Sequence, residues 1–196
     1  MSWVSLLVTI YSIIRLRSSV NMTDMIKRLL YVEDTYGVDF HREIVSRLVS
    51  MRLLPRGNRP EIRRLPARKC NPGLAKKILA RILGYHEYRI LIVVDKEDNT
   101  VREARRLILG HFDRRVRSFL RLVVVDPRHE KWLCIGLSDN IRNCRTRPEH
   151  KISLLKGFRY EKIHLSSLAN QVDIERLLSN AHDFRDYVEK LRWLMG

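Results

Sequence analysis

Along its length the chain alternates short unbroken apolar runs with longer stretches whose apolar residues recur every three or four positions. The runs Arg28 to Glu33 (RLLYVE), Tyr88 to Val94 (YRILIVV) and Leu120 to Val125 (LRLVVV) are dense in aliphatic residues, as in strands covered on both faces. Helical spacing fills the gaps. Phe40, Ile44, Val45, Leu48 and Val49 mark one helix. Leu74, Ile78, Leu79, Ile82 and Leu83 mark a second, closing near Gly84. Val101, Ala104, Leu107 and Ile108 mark a third, capped by Asn99 or Thr100. The segment Glu130 to Leu137 fits either a short helix or an edge strand. Two helices finish the chain, one around Leu168, Val172, Leu177 and Leu178, the other carrying Phe184, Tyr187, Val188, Leu191 and Leu194. Strands alternating with helices predict an α/β fold, a parallel sheet sandwiched between helices on both faces.

Two stretches break this order. Residues 55–72 hold four prolines, one glycine and the cations Arg56, Arg59, Arg63, Arg64, Arg68 and Lys69, so they read as a basic loop. Residues 138–151 read as a second, with Arg142, Arg145, Arg147 and Lys151. The expected organisation is one domain over residues 25–196 behind an appendage at 1–24. The apolar run at 3–14 is shorter than the roughly 20 residues of a spanning helix, and Arg15 and Arg17 follow it rather than precede it. Neither a membrane span nor a signal peptide is expected, and the reading is a soluble, cytoplasmic protein. No internal repeat is visible.

Charge sharpens the picture. The 196 residues carry 38 Lys+Arg against 22 Asp+Glu, a formal charge of +16. Of the cations 28 are Arg and 10 are Lys, and the planar guanidinium suits bidentate contacts to phosphate. Nucleic acid, DNA or RNA, is the leading partner class. A surface laced with ion pairs is the other source of such a composition. Cys70, Cys134 and Cys144 are odd in number and form no C-x-x-C pair, so reduced thiols are expected rather than a disulfide framework or a zinc site.

Each strand also delivers an acid. Glu33 closes the first, Asp95 and Glu97 the second, and Asp126 the third. On a parallel sheet these share the carboxyl edge, where such folds place their ligands. Carboxylate clusters hold Mg²⁺ or Mn²⁺, and such ions serve phosphodiester cleavage. Strand ends also attract Asp as a turn former and helix cap. Asp98, His129 and Glu130 are possible helpers, although a histidine in such a turn is more often solvated. Trp132 lies in an apolar run and reads as a core anchor. Walker-type, dinucleotide-binding and serine-hydrolase motifs are missing.

The block LLYVEDTYGVDF at 29–40, followed by ILIVVDKE at 90–97, resembles the Toprim domain of topoisomerases, bacterial-type primases, OLD-family nucleases and small RNA-maturation nucleases. The run HEKWL (His129 to Leu133) is similar to an acidic Trp-Leu element of small stand-alone Toprim-like proteins, as is LANQVDIERLL near the end. The resemblance spans roughly residues 26–195 in order. It implies a Toprim-like α/β sheet in which Glu33 is a metal ligand or general acid/base and Asp95 and Glu97 hold Mg²⁺ or Mn²⁺, with Asp126 or Glu130 assisting.

This chain departs from the pattern at several positions. Asp34 stands where the family usually has Gly, Gly37 stands where a further Asp is common, and the metal pair is Asp-x-Glu rather than Asp-x-Asp. Two functions follow from the resemblance. One is a metal-dependent nuclease or related phosphoryl-transfer enzyme. The other is a non-catalytic nucleic-acid-binding protein that uses its basic loops, within a larger assembly or as a homodimer.

Overall fold

Strands β1 (Ile26–Val32), β2 (Glu61–Arg64), β3 (Glu87–Asp95) and β4 (Leu120–Val125) pair in parallel in the order β2-β1-β3-β4. The computed structural model describes residues 26–85 and 87–196; the expected appendage at 1–24 lies outside the described residues. All four strands end on one edge, as parallel pairing requires.

The pleat sends alternate residues to opposite faces. Leu30, Val32, Leu91, Val93, Val123 and Val125 join one core, while Leu29, Tyr31, Ile90, Ile92, Val94, Leu122 and Val124 join the other. The first and larger core is covered by α1 (Thr35–Ser50), α5 (His129–Leu137), α6 (Pro148–Lys156), α7 (His164–Ser167), α8 (Ile174–Asn180) and α9 (His182–Met195). The second is covered by α2 (Leu74–Leu79), α3 (Val101–Leu109) and α4 (Arg114–Arg117). The expected architecture is therefore the observed one: α/β, with a parallel sheet between two helical layers. No helix among the described residues is long and apolar enough to cross a membrane.

Local chemistry explains the boundaries. Thr100 caps α3 by accepting from the Glu103 N–H, and Glu103 returns the bond to the Thr100 N–H. This capping box satisfies two donors that a helix start leaves orphaned. Trp132 is fully buried, the core anchor that its apolar run predicts.

Several expectations are corrected. Residues 55–72 are not all loop: Glu61–Arg64 form the four-residue edge strand β2. The second basic loop ends at Arg147, where α6 begins with proline in its first turn. The second helix ends at Leu79 rather than near Gly84, so Leu83 lies beyond it and is 78% exposed, and Val101 is exposed on α3. The thiols are not all reduced: Cys134 and Cys144 form a disulfide across 10 residues, leaving Cys70 free and exposed. It ties α5 to the basic loop before α6, which no C-x-x-C spacing could announce.

Candidate functional site at the carboxyl edge

The chain leaves β1 into Glu33 and Asp34. Asp34 accepts from the Gly37 N–H at 2.7 Å and so caps α1, and its other oxygen meets Lys162 at 2.5 Å. Its backbone is extended, with φ −132°, so this position does not need the glycine that the Toprim pattern carries here.

Glu33 reaches the neighbouring strand end, where its Oε2 accepts from the Asp95 N–H at 3.0 Å. Lys69, brought up by the first basic loop, lies 3.0 Å from Glu33 Oε1, 2.8 Å from Glu97 Oε2 and 2.9 Å from the Asp95 carbonyl oxygen. Burial raises the Glu33 pKa against the opposing pull of Lys69. Burial alone would lower the Lys69 pKa, but Glu97 and Glu33 outweigh it and hold the ammonium charged.

Asp95 and Glu97 do not point the same way. Strand geometry stops at Asp95, and Glu97 adopts φ 53°, a left-handed conformation uncommon for a residue with a Cβ. Glu97 therefore turns outward to Lys69, its side chain 53% exposed. Asp95 is buried and turns to α5. Its Oδ1 accepts from the His129 N–H at 3.0 Å and lies 2.5 Å from His129 Nδ1. Arg128, at the N-cap of α5, gives no side-chain cap, so Asp95 caps that helix from across the sheet edge, where a negative charge is favoured.

His129 is thus no solvated turn residue. Its Nε2 lies 2.9 Å from His41 Nε2, and His41 Nδ1 lies 2.7 Å from the Tyr187 hydroxyl. Burial opposes charge on His129, but the Asp95 carboxylate outweighs it and raises its pKa. Burial lowers the pKa of His41, and the neighbouring His129 charge adds to the effect. Burial alone would raise Asp95; the His129 charge reverses that and lowers it. The chain therefore runs from a carboxylate through a histidine biased towards charge and a histidine biased against it to a phenol. His41 and Tyr187 have no motif and were invisible in the sequence beyond Tyr187's place in a helical stripe.

Two clefts open here. One, of about 640 Å³, is lined by Glu33, Arg64, Arg68, Lys69, Cys70 and Glu97 among others. The second, of about 550 Å³, is lined by Asp95, Glu97, Asp98, Glu130, Tyr160 and Lys162 among others. In it Glu130 is buried, its Oε2 has no hydrogen-bond partner, and burial raises its pKa. The Tyr160 hydroxyl lies 3.5 Å from its other oxygen.

Asp126 stands apart from these acids. It pairs with Lys96 at 2.8 Å and Arg145 at 3.1 Å. Of the loop cations, Arg63 pairs with Glu61 and Lys69 is turned inward. Arg59 lines a separate opening of about 660 Å³ beside α1 and α7. Arg56, Arg59, Arg64, Arg68, Arg142 and Arg147 are exposed.

The Mg²⁺ or Mn²⁺ set expected from the resemblance was Glu33, Asp95, Glu97 and Asp126. Here Lys69 holds Glu33 and Glu97, His129 holds Asp95, and Lys96 and Arg145 hold Asp126. Among the described residues no group of three or more His, Cys, Asp or Glu side chains is arranged to hold a metal ion. The residues present do not fit a carboxylate-caged divalent ion. No family model matches the chain, and no curated protein or solved structure is detectably similar to it.

Proposed function

We propose that this protein binds nucleic acid by its phosphate backbone at the carboxyl edge of the sheet. The observation that carries the reading is the cleft of about 640 Å³ in which Arg64 and Arg68 stand beside Lys69. Neither arginine makes an ion pair with a described carboxylate. Lys69 also neutralises part of the charge of Glu33 and Glu97, which would otherwise repel a phosphate. Contacts of this kind position a backbone and carry little sequence information.

Fluorescence anisotropy with labelled DNA and RNA across a salt series tests the proposal. Binding should weaken steeply with salt, as counterion release requires. The double substitution Arg64→Ala/Arg68→Ala should flatten the slope of log K against log salt by about 2. An unchanged slope and affinity would sink this assignment of the contact surface.

A second reading, phosphodiester cleavage, rests on one observation: Glu130 Oε2, buried and unpartnered beside Asp95 in the second cleft. A carboxyl group whose pKa burial raises is suited to general acid work. Incubation of DNA and structured RNA with Mg²⁺ or Mn²⁺, beside Asp95→Ala/Glu97→Ala and Glu130→Gln variants, tests this reading. Cleavage that survives all three substitutions removes the cleft from consideration.

A further inference from the structure

We infer that the Lys69 ammonium is the resident cation of this sheet edge, occupying the position where converging strand-end carboxylates would otherwise gather a divalent ion. An ammonium has three N–H donors and no acceptor. Lys69 has three oxygens around it: Glu33 Oε1 at 3.0 Å, Glu97 Oε2 at 2.8 Å and the Asp95 carbonyl at 2.9 Å. Each donor therefore has its own acceptor, contributed by the ends of β1 and β3.

These distances suit a nitrogen. Mg²⁺ demands oxygens at about 2.0–2.1 Å in near-octahedral array, and a cage opened to nearly 3 Å does not supply them. The Lys69 side chain is only 10% exposed, so it is not a surface lysine leaning on a convenient acid.

The backbone that delivers Lys69 is pinned on both sides. The Leu65 N–H donates to the Val32 carbonyl at 2.7 Å, at the end of β1. The Lys69 carbonyl lies 3.0 Å from His111 Nε2, and the Asn71 N–H donates to the Arg68 carbonyl at 2.9 Å. The cation is thus placed by the fold, as a metal ion would be placed by its ligands. Glu97, in its left-handed conformation, is the acid that turns out to complete the cage.

Two carboxylates and one ammonium leave a single negative charge, and Arg64 and Arg68 on the cleft wall exceed it. A site so balanced attracts anions and has little to offer a second cation. The resemblance to metal-dependent enzymes is then one of framework, with a lysine in place of the ion.

Mn²⁺ titration followed by electron paramagnetic resonance of the free ion, on wild type and Lys69→Met, tests the inference. Lys69→Met should expose the Glu33 and Glu97 carboxylates and bind Mn²⁺ at least ten-fold more tightly than wild type. Wild type that binds as tightly as Lys69→Met, with binding lost in Glu33→Gln, overturns the inference. So does a folded Lys69→Met that gains no affinity. Should Lys69→Met fail to fold, wild type decides: Mn²⁺ bound and then lost in Glu33→Gln overturns the inference, and no Glu33-dependent binding supports it. The readout is metal rather than nucleic acid, so its outcome is separate from that of the binding proposal.

Discussion

Asp95 holds His129 twice, through the backbone N–H at 3.0 Å and through Nδ1 at 2.5 Å, with both bonds on one carboxylate oxygen. The pair joins β3 to α5, and both side chains are under a tenth exposed. Buried charges persist only where they are paired and hydrogen-bonded, and here the pairing continues through His41 to Tyr187.

Removing the cation should therefore cost more than removing a surface ion pair. His129→Asn leaves the Asp95 carboxylate buried and uncompensated, and the expected loss is about 3–5 kcal/mol. Urea unfolding of the variant beside wild type measures it. A loss near that of an exposed pair, under about 1 kcal/mol, would show that Asp95 reaches water.

Stability should depend on pH with a definite sign. The folded pKa of His129 lies above its ordinary 6.5, so its contribution is complete below about pH 6.5 and is lost as pH rises through the folded value. His41 acts oppositely: its folded value lies well below 6.5, so stability falls as pH drops beneath 6.5 and only the unfolded chain takes up a proton. Urea midpoints should fall from pH 6.5 towards pH 9 in wild type, and His129→Asn should remove that alkaline decline. A variant that keeps the full decline would assign it to other groups.

How much of this was legible in the sequence depends on the reach of the interactions. The strands β1, β3 and β4 showed themselves because unbroken aliphatic runs with a terminal acid are a local signal. β2 did not, because Glu61, Arg63 and Arg64 surround Ile62, its one buried residue; an edge strand needs an apolar face on only one side. The grouping of Glu33, Asp95, Glu97 and Asp126 follows from parallel topology, and of these Glu33 meets the Asp95 backbone N–H while Asp126 pairs with Lys96 and Arg145 instead. It missed Lys69, which sits 36 residues from Glu33 and 26 from Asp95 and read as a free loop cation. His129 and His41 are 88 residues apart, so neither carried a local sign of the other.

Gly136 on α5 marks a close approach. A Cβ there would lie 2.3 Å from Val172 Cγ1 and 3.3 Å from the Asp173 backbone nitrogen, whose N–H donates to the Gly136 carbonyl. Gly136→Ala should destabilise the protein by about 1–3 kcal/mol, read as a lower thermal midpoint. An unchanged midpoint would mean that the segment before α8 moves aside at no cost.

The Cys134–Cys144 bridge closes a short loop, and constraint of the unfolded chain by such a loop is worth about 2–3 kcal/mol. Reduction should lower the thermal midpoint accordingly. Thiol titration of the native protein should find one reactive group, Cys70, and three after reduction and unfolding. Three reactive thiols in the native state would contradict the bridge.

The parallel register pairs Val32 with Val93, so the last residue of β1 lies two positions before the end of β3. That offset lets Glu33 reach the Asp95 N–H. Because adjacent residues of each strand enter opposite cores, an insertion or deletion of one residue in β1 alone would turn its apolar set inside out and also carry Glu33 away from its partner. The lengths of the two central strands are therefore coupled evolutionary variables. Relatives that keep this edge should change β1 and β3 together or not at all, and should keep the end of β2, whose next residue, Leu65, bonds Val32 and so leads the chain to Lys69.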